Sequence, residues 1–289
     1  MSGNHLLFVY GSLRQGEQYH DVYLKAAEQV ASQCWVRGKL VDTGEGYPAL
    51  IPHDEGRVYG ELYRITPEQL KDVDKLEGCR QNEPEYQRSL RPVMTDRGEA
   101  FEAEVYFYVQ PFQHMPEVPF GDWRLRGIGE RDYVLYFAYG SCMDDERFRK
   151  QGVEEKFLDL AGRGTLHGFR MRYPRIANDG GRADIVETGF GKVEGKVYRI
   201  DQEAVEYLYH REGVHTGRYR PALVTVEMDG QPIRDVLTFI VIDKSIPEQA
   251  PPEHYAREIL RGSRGTVSKE YHQQLYRELK ERWGMEVSY

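Results

Sequence analysis

Two Tyr-Gly-Ser triplets and two glutamates hold the residues of this 289-residue sequence that could do chemistry. Tyr10-Gly11-Ser12-Leu13 closes the apolar run that starts at Leu6, and Tyr139-Gly140-Ser141-Cys142 closes the run that starts at Val134. A glycine at the end of a strand lets the backbone approach a ligand closely. Successive amide N–H groups in such a turn can hold a carboxylate or a developing oxyanion. Neither Ser12 nor Ser141 has the Gly-x-Ser-x-Gly setting of a hydrolase nucleophile.

The glutamates are Glu77 and Glu212. Gly60-Glu61-Leu62-Tyr63-Arg64-Ile65 matches Gly195-Lys196-Val197-Tyr198-Arg199-Ile200, and from there the copies align without a gap to Gly78 and Gly213. Leu70, Val73 and Glu77 fall on one face of a predicted helix, as do Val205, Leu208 and Glu212. A carboxylate on an apolar face in the last turn of a helix is costly to ionise, because desolvation and the helix dipole both raise its pKa. One reading is a buried salt bridge, with Arg64 or Arg88 as partner in the first copy and Arg199 or Arg211 in the second. The other is a general base lifted toward neutrality. No second carboxylate is duplicated with it, since Tyr209 replaces Asp74, and this argues against a two-carboxylate glycosidase. Tyr86 and Tyr219, in the following strands, either point a hydroxyl into a cavity or fill the core. His20 has no counterpart and reads as a capping or surface residue, Cys142 as a small buried thiol.

The elements that must position these groups repeat with them. Each Tyr-Gly-Ser loop ends a short strand, and each Tyr-Arg-Ile strand runs into a helix. Thr66-Pro67-x-Gln69 is a capping box, Asp201 can cap the second helix, and both helices end at glycine. Prolines and glycines punctuate the stretch before the second copy, so the expected division is a domain over 1–115, a linker over 116–131 and a domain over 132–289. The second copy alone carries a tail. Pro251-Pro252 precedes a short helix, and Ser268 can cap a longer one with a Tyr271, Leu275, Leu279, Trp283 stripe.

Composition bounds the function. The net charge is −8, with acidic and basic residues interleaved, which argues against a nucleic-acid partner. The longest apolar runs are strand-sized and the start, Met1-Ser2-Gly3-Asn4-His5, is polar, so neither a membrane span nor a signal peptide is expected and the cytoplasm is the expected address. Cys34, Cys79 and Cys142 are odd in number and far apart, and the nine histidines show no ligand spacing. Neither a disulfide framework nor a metal site is expected.

On these residues the sequence resembles the gamma-glutamylcyclotransferase family, which includes gamma-glutamylamine cyclotransferases and AIG2-like proteins. The first copy matches through Tyr10 to Leu13, Gly46-Tyr47-Pro48-Ala49, Asp74-x-x-Glu77-Gly78 and Tyr86-x-Arg88. The second matches through Phe137 to Ser141, Ala183-Asp184-Ile185, Glu212-Gly213-Val214, Tyr219 and the tail, departing at Cys142 and Tyr209. The resemblance implies an α+β fold of two tandem small mixed β-barrels with flanking helices. It also implies release of 5-oxoproline from a small gamma-glutamyl compound, a reaction needing no cofactor. Under it, Glu77 and Glu212 are the catalytic bases. Tyr10, Gly11, Ser12, Leu13 and Tyr86, with Tyr139, Gly140, Ser141, Cys142 and Tyr219, bind substrate. The rivals are a binding module for gamma-glutamyl metabolites and an acyl-transfer variant.

Overall fold

A computed structural model describes residues 3–79 and 81–289. Its internal contacts fall into two compact units, one ending at Arg126 and the other spanning Gly127–Tyr289. In the first, β1 (His5–Val9) leads through the short helix α1 (His20–Tyr23) to β2 (Glu28–Arg37), the hairpin β3 (Lys39–Asp42) and β4 (Pro48–Ile51), and β5 (Arg57–Ile65). Helix α2 (Pro67–Leu76), β6 (Tyr86–Thr95) and β7 (Ala100–Tyr108) follow. Five strands close a barrel in the order β1-β5-β2-β6-β7, antiparallel except where β1 meets β7 in parallel, Leu7 against Glu104.

Alternation along the strands builds two apolar layers. Phe8 joins Val58, Leu62 and Val105 in one cluster. Leu7 and Val9 join Tyr63, Leu70 and Val73 in another, beneath α2. With both faces covered, β1 reads as an unbroken apolar run. Gly60 is required by close approach, because a Cβ there would lie 2.2 Å from the carbonyl oxygen of Val9 and 2.7 Å from the Phe8 ring. Gly195 is confined in the same way by Ala138 and Phe137. Gly60→Ala is therefore expected to destabilise the first unit by about 1–3 kcal/mol, read as a lower urea midpoint.

The second unit repeats the topology with longer strands: β8 (Val134–Ala138), helix α3 (Asp145–Gln151), β9 (Leu160–Ala177), β10 (Gly180–Ile200), helix α4 (Gln202–Glu212), β11 (Tyr219–Met228) and β12 (Gln231–Val241). Its barrel order is β10-β8-β12-β11-β9, and β8 meets β12 in parallel, Tyr136 against Leu237. Helices α5 (Glu253–Ser263) and α6 (Lys269–Trp283) complete it. Each unit is thus the mixed barrel with flanking helices that the resemblance implied. Among the described residues no helix is long and apolar enough to cross a membrane.

Local signals set the helix ends. The Thr66–Gln69 capping box forms, Asp201 accepts from the Ala204 amide and Ser268 from that of Tyr271. Gly78 and Gly213 end their helices with φ of +64° and +65°, a conformation that favours glycine. The expected linker over 116–131 is folded. The Val118 amide donates to the Leu40 carbonyl at 2.9 Å, and Trp123, 1% exposed, joins the first barrel's core. The division between units consequently falls after Arg126.

Candidate functional site

The first Tyr-Gly-Ser loop is fastened at both ends. The Tyr10 hydroxyl donates to the Tyr106 carbonyl at 2.7 Å, and the Arg14 amide closes a turn onto the Gly11 carbonyl at 2.9 Å. His20 places Nδ1 3.1 Å from the Leu13 carbonyl, so this buried residue holds the loop from behind. A Cβ on Gly11 would lie 2.6 Å from the Pro48 ring, which explains the glycine. Arg14 is buried between Glu61 at 3.2 Å and Asp122 at 2.5 Å, and Glu61 also accepts from the Gln15 amide and the Tyr63 hydroxyl. Burial opposes the guanidinium charge, but Asp122 and Glu61 together more than offset it and raise the pKa.

A cavity of about 150 Å³ opens beside this loop. Tyr10, Gly11, Ser12, Leu13, Glu77 and Tyr86 all line it, joined by Tyr47, Pro48 and Glu85. The Tyr86 hydroxyl donates to the Pro48 carbonyl at 2.9 Å, so this tyrosine both anchors the hairpin and walls the cavity. Glu77 follows directly on α2, supported by Leu70 and Val73. It is half-buried and lines the cavity. Desolvation, helped by the nearby charge of Glu85, raises its pKa to about 8.

Neither arginine considered as its partner reaches it. Arg64 pairs with Glu28, and Arg88 with Asp74 and Glu104. Among the described residues no ion pair joins Glu77 to a cation. Asp74 lies outside the cavity lining, where it accepts from the Tyr106 hydroxyl at 2.8 Å and pairs with Arg88. Two cavity residues, Glu85 and Tyr47, escaped the sequence reading as site residues. Glu85 stands immediately before Tyr86, a position whose counterpart before Tyr219 is Arg218, so a search for duplicated carboxylates passes over it.

The second unit builds the same frame around a smaller space of about 30 Å³, lined by Tyr139, Gly140, Ser141, Cys142, Glu212 and Tyr219. Tyr139 donates to the Phe239 carbonyl at 2.7 Å, the Met143 amide to the Gly140 carbonyl at 3.1 Å, and Tyr219 to the Ala183 carbonyl at 2.8 Å. Tyr255 of α5 also lines the space and accepts from the Ala183 amide, a contribution of the tail that the motifs did not reveal. The carboxylate differs most. Arg211 lies 3.2 Å from Glu212, and the Cys142 thiol donates to the same carboxyl oxygen at 3.5 Å. Burial pushes that thiol's pKa up, as suits a small buried cysteine. Among the described residues the salt-bridge reading thus describes Glu212 and not Glu77. The loop's fastening also changes sign: Lys196, in the place of Glu61, is buried and pairs with Asp145 at 2.7 Å.

Comparison with known proteins fits this duplicated frame. The family described as "Gamma-glutamyl cyclotransferase, AIG2-like" matches residues 7–125, and the "AIG2-like family" matches residues 192–275. "Putative gamma-glutamylcyclotransferase YkqA" of Bacillus subtilis is 37% identical over 281 residues, covering 96% of this chain and 98% of its own. The chain belongs to the gamma-glutamylcyclotransferase family. Within it, the crystal structure of YkqA superposes with a TM-score of 0.85, covering 96% of this chain and 98% of that one. "Gamma-L-glutamyl-butirosin B gamma-glutamyl cyclotransferase" of Niallia circulans is 46% identical over 71 residues, which are 25% of this chain and 44% of its own. This gamma-glutamylcyclotransferase-family chain therefore holds two family domains in tandem.

Proposed function

We propose that the first domain is an enzyme releasing 5-oxoproline from a gamma-glutamyl amine or amino acid, with Glu77 as general base. The observation that carries this reading is a carboxyl group without an ion-pair partner among the described residues, its pKa near 8, on the wall of a cavity beside a fixed glycine loop. In the reaction Glu77 takes a proton from the substrate's α-ammonium group. The freed amine attacks the γ-carbonyl carbon and closes a five-membered ring. The ring nitrogen gives up its second proton to solvent, and collapse of the tetrahedral intermediate breaks the bond to the leaving nitrogen, which receives the proton from Glu77 and departs as an amine. Amides around Gly11 to Leu13 hold the glutamyl moiety, and Tyr86 and Tyr10 shape its cradle. Preorganised geometry supplies much of the rate, because the nucleophile is the substrate's own.

For the second domain the pairing of Glu212 with Arg211 and the smaller cavity favour a different reading, in which a gamma-glutamyl metabolite is bound with little or no turnover. The test of both is incubation of the full chain with gamma-glutamyl-lysine, gamma-glutamyl dipeptides and glutathione in turn, following 5-oxoproline by mass spectrometry. Binding without product in every case would replace the catalytic reading of the first domain with the binding one.

A pH profile gives a further check. Glu77 must be ionised to accept a proton, so kcat/KM is expected to fall as pH drops through about 8. Glu85→Gln removes the charge that, after desolvation, raises this pKa and should shift the acid limb to lower pH. A profile flat from pH 6 to 9 in the wild type would remove Glu77 from the role.

A further inference from the structure

We propose that Glu85, with Glu45 beside it, makes the first site select gamma-glutamyl compounds whose leaving amine carries a second positive charge. This rests on the catalytic reading of the cavity and names the substrate class it takes. Glu85 lines the same cavity as Glu77, so a bound gamma-glutamyl amine faces two carboxyl groups, and Glu77 is committed to the α-ammonium. The Tyr47 hydroxyl lies 2.8 Å from Glu85 and 2.8 Å from Glu45. A phenol has one proton and can donate to only one of them, so the other carboxylate meets only the oxygen of the phenol there. Desolvation raises the phenol's pKa, and the hydrogen bonds and charges of Glu85 and Glu45 raise it further.

Among the described residues neither Glu45 nor Glu85 is joined to a cation by an ion pair. The site therefore presents carboxylate charge that no described cation pairs. A protonated amine on the leaving group supplies what is missing, donating to Glu85 through a charge-assisted hydrogen bond. The second domain reverses the sign at this place, with exposed Arg218 before Tyr219 where the first has Glu85 before Tyr86. That reversal fits a difference in selectivity rather than a shared structural need.

The test uses the full chain and two substrates of matched length, N-gamma-glutamyl-1,4-diaminobutane and N-gamma-glutamyl-pentylamine, in which a methyl group replaces the distal ammonium. The wild type is expected to favour the diamine compound by about tenfold in kcat/KM, and the preference should shrink with added salt. Glu85→Gln, confirmed as folded by circular dichroism, should bring the ratio close to one. Any change it causes in the base acts on both substrates and cancels in the ratio. If Glu85 instead held the α-ammonium, both substrates would suffer alike and the ratio would persist, overturning the proposal, as would a wild-type ratio near one. Calorimetric binding of the two compounds to the Glu77→Gln variant separates the two readings. A preference for the diamine that Glu85→Gln abolishes supports the charge selection even where no 5-oxoproline forms, and equal binding of both compounds rejects it.

Discussion

Glu77→Gln is expected to lower 5-oxoproline release by roughly 10² to 10⁴, the usual contribution of a single positioned base. Glutamine keeps the shape and the polar contacts but takes up no proton at working pH. Glu212→Gln is expected to leave that rate within a factor of about three, since Arg211 already engages the carboxylate that it removes. Retained turnover in the double variant would sink the mechanism. The loss at Glu77 should come without loss of fold. A carboxyl group whose pKa rises from the ordinary 4.5 to about 8 in the folded state holds a proton there that the unfolded chain has released. Its contribution to stability therefore declines as pH rises through that window, and glutamine escapes the decline. Urea denaturation at pH 9 should find Glu77→Gln at least as stable as the wild type. A less stable variant at that pH would show that Glu77 is a structural residue in its ionised form.

Arg14→Met is the largest expected structural effect. It leaves two carboxylates, Glu61 and Asp122, each 2% exposed, with no arginine between them. Removing one partner of a buried ion pair costs about 3–5 kcal/mol, because the stranded charge remains desolvated. Trp35 and Trp123 belong to the first unit and Trp283 to the second, so the loss should appear in tryptophan fluorescence as an early unfolding phase in denaturant. Lys196→Met, the corresponding change in the second unit, strands Asp145, whose side chain is 59% exposed, and should cost far less. Equal shifts from the two substitutions would mean that Arg14 acts through something other than its buried carboxylates.

Sequence revealed what is local or repeated. Helix starts at Thr66 and Asp201 depend on side chains bonding amides three positions on, and ends at Gly78 and Gly213 on glycine's left-handed backbone, and they form as predicted. The duplication was legible because the Tyr-Gly-Ser and Tyr-Arg-Ile strands occur twice, and the barrels were expected only through the family resemblance that these motifs carry. Long-range and unrepeated features stayed hidden. Asp122 sits in a proline- and glycine-rich stretch that reads as linker, and its meaning depends on Arg14, 108 positions earlier. Whether an arginine would reach either glutamate was equally beyond reach: Arg88 is drawn to Asp74 and Glu104, while Arg211 turns onto its neighbour Glu212. Glu85 was missed because duplication, the filter that found Glu77, rejects by construction any residue in which the copies differ.

The opposite polarity of the two loop fastenings bears on how the halves have stayed distinct. Tandem copies of one ancestral segment are exposed to exchange between themselves, which tends to make them alike. A recombinant carrying the first loop and the second barrel's long strand would set Arg14 against Lys196, and the reciprocal product would set Asp145 against Glu61. The first would bring two buried like charges together, whereas the second would set the exposed Asp145 against the buried Glu61. The first hybrid therefore carries a buried charge clash that neither parent half has, and exchange in that direction is expected to cost stability.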